Sequence, residues 1–297
     1  MKMERTPRKT KRTDKMASFF NQASLSFNGQ ITNSNITEGE LLGRLSVEKT
    51  ALANSYSQGD TVAYMLTVTN TGGNALSGVS LTDNLGSYRV GDTSYTPLSY
   101  VDGSIMAYIN GVAVAAPQIT AGTDLVIQAP DIPVDGTLTV IYQTTVTAQA
   151  QLGEGAVITN TVTATVGAET ATDEATITAE GGVNLSIAKA ICPPVITEGA
   201  EVTYTLIIQN SGATSVTAED AVILNDVFNP PLSGITVVAN GASWTEGNEY
   251  TYDEASGAFA TTAGAITLPG ATYERDPVSG VVTTNPAVLA ISISGTI

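Results

Sequence analysis

Beyond residue 16 the chain holds only two lysines, Lys49 and Lys189, and they occupy the same position of an internal repeat. Each follows apolar residues at alternate positions, Leu45 and Val47 in one case and Leu185 and Ile187 in the other. In a strand with one buried face that spacing turns the lysine inward. Burial disfavours the ammonium and lowers the pKa, which leaves a nucleophilic amine. An asparagine carboxamide on a neighbouring strand is the matching electrophile. A buried, protonated aspartate would polarise its carbonyl and shuttle the proton, and loss of ammonia would leave a Lys–Asn isopeptide bond. The candidates in the first repeat are Lys49, Asp83 and Asn160. In the second they are Lys189 and Asp226, with Asn21 supplied by another copy. The plain alternative is a pair of lysines that lie along a sandwich edge with their heads in water, paired to carboxylates.

The repeat sets the architecture that must position these groups. Residues 45–72, LSVEKTALANSYSQGDTVAYMLTVTNTG, align without gaps with residues 185–212, LSIAKAICPPVITEGAEVTYTLIIQNSG. Gly59 falls on Gly199, and Asn70-Thr71-Gly72 falls on Asn210-Ser211-Gly212. Val62, Tyr64, Leu66 and Val68 alternate with smaller or more polar residues, the period of a strand with one buried face. The Asn-x-Gly endings mark turns. VSLTDNL (79–85) and VILNDVF (222–228) then bring Asp83 onto Asp226. Short strands between turn signals predict an all-β chain with two tandem immunoglobulin-like sandwiches. The expected modules are residues 45–167 and 185–297, joined by a linker over 168–184.

The two modules differ at their ends. The first finishes with LTVIYQTTV (138–146) and ITNTVTATV (158–166), whereas the second reaches VLAISISGTI (288–297) with no counterpart of the last strand. A counterpart stands near the N-terminus. FFNQASLSFN (19–28) resembles ITNTVTATVG (158–167), with Asn21 on Asn160, Ala23 on Val162, Leu25 on Ala164 and Phe27 on Val166. The segments that follow, 34–49 and 175–189, also agree in outline. Residues 17–44 therefore read as a donor strand and its linker, with Phe20, Ala23, Leu25 and Phe27 as the donated side chains. The sixteen residues 29–44 could span roughly 50–58 Å, so closure within one chain is open. The likeness of the linkers favours a neighbouring copy, a head-to-tail contact that builds filaments unless a ring closes. An ordinary extra strand is the plain alternative.

Composition narrows the function. The 297 residues suffice for two ordinary domains, and 42% are apolar. Net charge is −16, yet residues 1–15 hold seven of the twelve basic residues, so residues 1–16 read as a disordered basic tail on an acidic body. That body repels nucleic acid and anionic membranes. No apolar run is long enough to span a bilayer, and no signal-peptide core follows the basic head. The single cysteine, Cys192, excludes an intrachain disulfide. There is no histidine, which removes the usual general base and histidine metal sites. No calcium-loop or phosphate-loop pattern occurs. The expectation is a non-enzyme without cofactor or metal, whose partner is itself. A second expectation is an adhesin that binds through the long stretches 86–137 and 229–287. Those stretches carry Tyr88, Tyr95, Tyr100, Tyr108, Trp244, Tyr250, Tyr252 and Tyr273.

The succession Lys49-Thr50, Gly59-x-x-Val-x-Tyr-x-Leu-x-Val-x-Asn-x-Gly72, Val79-x-Leu-x-Asp83 and Thr159-Asn-Thr-Val-Thr-Ala164 resembles the DUF11 conserved-repeat domain. The resemblance covers roughly residues 45–167 and 185–297. It implies immunoglobulin-like sandwiches and a structural role at the surface of a cell or spore. It also implies a Lys49–Asn160 isopeptide assisted by Asp83. The second module departs from the pattern because its own residues lack the final asparagine strand. The missing signal peptide departs from typical surface members and suits assembly inside a spore-forming mother cell, or release by lysis.

Overall fold

The computed structural model describes residues 15–197 and 199–297. Residues 1–14, most of the expected basic tail, lie outside the described residues, and Lys15 and Met16 already belong to a strand. The chain divides into two compact units, one of residues up to 150 with 158–177, the other of residues 151–157 with 178–297.

The N-terminal segment is a β-hairpin: β1 (Lys15–Asn21), β2 (Ser24–Phe27), β3 (Gln30–Asn33) and β4 (Thr37–Leu42). β1 pairs antiparallel with β4 and β2 with β3. The tip is a two-residue turn at Asn28-Gly29, with φ of 48° and 77°, the sequence and geometry that a right-twisted hairpin favours. This corrects the reading of residues 17–44 as one strand and a linker.

The first sandwich is built from β5 (Leu45–Ala51), β6 (Ser55–Tyr56), β7 (Thr61–Asn70), β8 (Ser80–Asp83), β9 (Tyr88–Val90), β10 (Thr93–Tyr95), β11 (Leu98–Tyr100), β12 (Met106–Ile109), β13 (Val112–Val114), β14 (Gln118–Ala121), β15 (Leu125–Gln128), β16 (Thr137–Val146), β17 (Val157–Val166) and β18 (Glu169–Ala179). One sheet runs β13-β12-β16-β7-β5 and the other β14-β15-β8-β17-β18-β6. Alternation turns Val62, Tyr64, Leu66 and Val68 of β7 inward from one sheet and Leu81 of β8 with Val162 and Ala164 of β17 inward from the other, all buried. The fold class is the expected all-β, immunoglobulin-like sandwich.

β18 was expected to be linker. Its inward row is Glu169, Ala171, Ala175, Ile177 and Ala179, all buried. Small side chains and a carboxylate give little hydrophobic signal, which is why the alternation reads as a polar connection. The carboxylates have a structural task. Glu169 Oε1 accepts from the backbone N–H of Arg44 (2.6 Å) and Leu45 (2.9 Å), and Asp173 Oδ2 accepts from Lys49 N–H (2.8 Å). β18 thus satisfies the edge of β5 with side chains instead of a backbone ladder, as buried donors require.

The second sandwich comprises β19 (Leu185–Cys192), β20 (Glu201–Asn210), β21 (Asn225–Val227), β22 (Ser233–Ala239), β23 (Ala242–Trp244), β24 (Tyr250–Asp253), β25 (Ala258–Thr261), β26 (Thr272–Arg275), β27 (Val282–Asn285) and β28 (Ala287–Thr296). Its first sheet, β19-β20-β28-β22-β23, repeats the order of β5-β7-β16-β12-β13. The register repeats too: Leu185 opposes Asn210 as Leu45 opposes Asn70, and Lys189 opposes Leu206 as Lys49 opposes Leu66. The second sheet holds β21-β25-β24, the equivalents of β8-β15-β14. Among the described residues nothing pairs with β21 where β17 pairs with β8.

The Asn-x-Gly corners are built alike. Asn70 Nδ2 donates to the carbonyls of Asn74, Ile132 and Pro133, and Asn210 Nδ2 donates to those of Thr214 and Pro269. Each Oδ1 accepts from the glycine two residues on. A Cβ on Gly212 would sit 2.2 Å from the Gly182 carbonyl oxygen, so the corner admits only glycine.

Candidate functional site

β5 hands Lys49 inward from one sheet of the first sandwich, and β8 and β17 hand Asp83 and Asn160 inward from the other. All three are buried, and the side chains of Lys49 and Asp83 have no exposed surface. Lys49 Nζ donates to Asp83 Oδ2, and the Tyr142 hydroxyl donates to the same oxygen. Asp83 Oδ1 accepts from Leu85 N–H at 2.8 Å. Nζ also lies over the ring of Tyr64, 5.0 Å from its centroid, and that ring stacks on Tyr142 at 5.8 Å.

The electrostatics follow from this enclosure. Burial pulls the Lys49 ammonium down to about 8, against the opposing pull of the Asp83 carboxylate. Burial also pushes the Tyr64 and Tyr142 phenols up, and the Asp83 charge adds to both. The tyrosines therefore stay protonated donors, while the amine comes within reach of its neutral form.

Asn160 completes the group. The Asn160 amide lies beside the Tyr64 and Tyr142 hydroxyls. Its Oδ1 accepts from Gly86 N–H at 3.2 Å. Its Nδ2 is buried without a hydrogen-bond partner, as is the Tyr64 hydroxyl. Such an orphaned donor costs about 1–3 kcal/mol. The turn that supplies the Gly86 N–H is tightly specified. Leu85 and Gly86 have φ of 50° and 69°, and a Cβ on Gly86 would meet Ile158 Cγ2 at 2.6 Å. Asn84 Oδ1 ties the turn down by accepting from Gly86 N–H and Thr161 N–H.

This arrangement can perform acyl transfer. In such a reaction the amine would be the nucleophile and the carboxamide carbon the electrophile, and the Gly86 N–H donates to the oxygen that would gain charge. Asp83 can carry a proton between the two nitrogens. Tyr64, Tyr142 and Gly86 escaped the sequence reading. Tyr64 was visible as a repeated tyrosine, matched by Tyr204, but read as core. Tyr142 has no repeated partner, and only the pairing of β16 with β7 places it opposite Tyr64.

The second module holds a partial copy. Lys189 Nζ donates to Asp226 Oδ2 and lies over the rings of Tyr204 (4.6 Å) and Phe228 (5.0 Å). The side chains of Lys189 and Asp226 remain 37% and 16% exposed, where their equivalents are fully enclosed. The row beside the lysine is open as well. Leu185 and Ile187 are 37% and 59% exposed, against 4% and 7% for Leu45 and Val47. A cleft of about 280 Å³ opens there, lined by Leu185, Ile187, Ile208, Leu224 and Ile266.

Asn21 lies on the N-terminal hairpin, where residues 19–38 are all exposed, so the structure does not bring it to Lys189 and Asp226. Alternation along the first arm puts Phe19, Asn21, Ala23, Leu25 and Phe27 on one face, and the Phe19 ring lies over Gly39. Phe20 falls on the opposite face, which corrects its place among the donated side chains. Of the eight aromatics named for an adhesin, none is exposed. Tyr88 donates to the Gln149 carbonyl and Tyr252 to that of Leu232. No cluster of metal-binding side chains occurs among the described residues, and no helix there is long and apolar enough to cross a membrane.

No family model and no curated protein matches the chain. Among solved structures it is similar to the full-length major pilin SpaD from Corynebacterium diphtheriae, with 13% identity, a TM-score of 0.35, and coverage of 81% of this chain and 59% of that one. It is similar to a C-terminal fragment of the major pilin GBS80 of Streptococcus agalactiae, with 10% identity, a TM-score of 0.34, and coverage of 82% and 91%. It is also similar to the collagen-binding domain from a Staphylococcus aureus adhesin, with 11% identity, a TM-score of 0.29, and coverage of 45% and 97%. These likenesses are too faint to bear on function.

Proposed function

We propose that the chain is a structural subunit that polymerises head to tail, with the N-terminal segment of one copy completing the second sandwich of the next, and that Lys–Asn isopeptide bonds seal both modules. One observation carries this reading: the second module is a half-built copy of a complete site, and the missing half has a counterpart in an exposed segment of the same chain. Lys189 and Asp226 stand partly exposed, and an open cleft lined by Leu185, Ile187 and Asn225 lies on the same two strands. Asn21, with Leu25 and Phe27 along the same face, stands exposed on the hairpin. Leu185, Ile187 and Ile191 are 37%, 59% and 42% exposed, so covering them would contribute roughly half of the ~1.5–3 kcal/mol that full burial of such a side chain gives. The contact is heterologous, so it propagates. By the DUF11 resemblance, the fibre stands at the surface of a cell or spore.

In the bond-forming step the neutral Lys49 amine adds to the Asn160 carboxamide carbon. A C–N bond forms, the C–Nδ2 bond breaks, and Asp83 relays a proton from the amine to the departing nitrogen, which leaves as ammonia. The reaction removes the orphaned Nδ2. It balances with no oxidant and no external reactant. Intact-mass spectrometry tests it. The wild-type monomer is expected one ammonia lighter than its sequence, and the assembled fibre lighter by one ammonia per sealed module. Lys49→Ala and Asn160→Ala should each restore the first ammonia, and Lys189→Ala should restore the second. A wild-type mass equal to the sequence mass sinks the covalent part of the reading. Electron microscopy of the wild type beside a variant lacking residues 19–39 tests the fibre itself.

A further inference from the structure

The complete sandwich shows that its seat beside β5 and β8 is filled by two strands, not one. β17 pairs with β8, and β18 follows it through the two-residue turn Gly167-Ala168 and closes over the edge of β5. The second sandwich leaves both places open: among the described residues β21 has no partner where β17 belongs, and the row of β19 is exposed throughout. The N-terminal segment is likewise a two-stranded hairpin with a two-residue turn, and residues 19–38 of it are exposed.

Counting outward from the two turns pairs the hairpins residue by residue. Phe27 and Gln30 stand at the places of Val166 and Glu169, and Leu25 and Thr32 at those of Ala164 and Ala171. Ala23 and Ser34 stand at those of Val162 and Asp173. Farther out the two hairpins part by one residue: Asn21 opposes Thr37, so the second arm has one more residue between Ser34 and Thr37 than the first module has there, where the exposed Thr159–Thr176 hydroxyl contact keeps the unbroken count. The inward row of the second arm is thus Gln30, Thr32, Ser34, Thr37 and Gly39. It is small and mostly polar, as Glu169, Ala171 and Ala175 are in the row it would replace, and it has no counterpart of that row's one large side chain, Ile177. The large apolar residues of that arm, Ile31 and Ile36, fall on the other face, and Ile31 takes the level of exposed Thr170.

We infer that the segment donated at the junction is the whole hairpin of a second copy. Its first arm occupies the place of β17 against β21, and its second arm occupies the place of β18 along the free edge of β19. This rests on the polymer reading and specifies its partner surface. Gln30 Oε1 stands where Glu169 accepts the N–H groups of Arg44 and Leu45, and Ser34 Oγ, which accepts from Ala23 N–H in the free hairpin, stands where Asp173 accepts that of Lys49. On docking, Gln30 becomes the acceptor for Leu185 N–H and Ser34 exchanges Ala23 for Lys189 N–H, while Asn184 N–H keeps Asn210 Oδ1. The junction then repeats the internal construction of the first module, edge capping included.

Two arginine substitutions in the full chain test this. Thr32→Arg places a long charged side chain on the inward face of the second arm, against the space that Ala171 fills in the first module. Ile31→Arg places the same group one residue away on the outward face. Both residues are exposed in the free hairpin, so each variant folds as the wild type does. Size-exclusion chromatography with light scattering should show polymer for the wild type and Ile31→Arg, and loss of polymer for Thr32→Arg. Polymer from all three proteins overturns the two-arm seat while leaving single-strand donation intact. Loss of polymer in both variants overturns the facing of the second arm. A wild type that stays monomeric removes the polymer reading itself.

Discussion

The chemistry of the first module depends on how Lys49 is held. Burial lowers its amine from the 10.5 of an ordinary lysine to about 8. Asn160→Ala provides a protein that keeps this amine unlinked. Between those two values its folded state holds the amine neutral while the unfolded state is still protonated. The unfolded state then binds more protons, so stability rises with pH. Below about 8 both states are charged and the gain is absent. Above 10.0, the ordinary value of a tyrosine, the raised Tyr64 and Tyr142 work in the opposite direction. Denaturant melts of Asn160→Ala should therefore show stability climbing from about pH 8 to about pH 10, by at most about 1.4 kcal/mol per unit. The double variant with Lys49→Met should lose that slope. A second residue prediction concerns the turn. Gly86→Ala meets Ile158 and a left-handed backbone, so it should displace the N–H that holds Asn160 Oδ1 and slow ammonia loss in freshly synthesised protein, read by mass against time after synthesis.

At the scale of strands, β18 does work that its composition hides. Glu169→Ala would leave the N–H groups of Arg44 and Leu45 without their acceptor, and a loss of about 1–3 kcal/mol is expected in equilibrium unfolding. Much of the first sheet was legible in the chain itself: the alternation of Val62 to Val68 and the gapless repeat give its strands and their equivalence. The seating of Lys49 beside Asp83 and Asn160 followed from the same alternation, since each falls on an inward position. β18 was not legible, because buried alanines and a buried glutamate resemble solvent-facing positions until the partner strand is known. The hairpin nature of residues 15–42 was missed for a related reason. Its second arm turns polar residues inward, and a hydrophobic pattern cannot single out a strand whose neighbour is backbone edge. Tyr142 illustrates a third limit: what it touches is set by a pairing with β7 some 80 residues away in the chain.

For the whole molecule, the two modules share one register in their first sheets and differ in what completes the second sheet. A polymer built on that difference has no special joint, since every boundary repeats the same seat. Deleting residues 19–39 should leave a soluble monomer that has released a single ammonia, with Lys189 still reactive toward amine-labelling reagents. In fibres Lys189 should resist the same reagents. Mass spectrometry of labelled peptides reads both.

The proposed Lys49–Asn160 bond would also have a mechanical consequence for the first module. Lys49 lies on its first long strand and Asn160 on β17, near its end. A pull applied to the two ends of the chain would pass from one strand to the other through the new bond, and everything folded between them would carry no load. Stretching a single linked module should then show no extension from residues 50–159. Lys49→Ala should release that hidden length, on the order of 36–40 nm at 3.3–3.6 Å per residue. A fibre of such subunits would resist shear as a nearly inextensible cord.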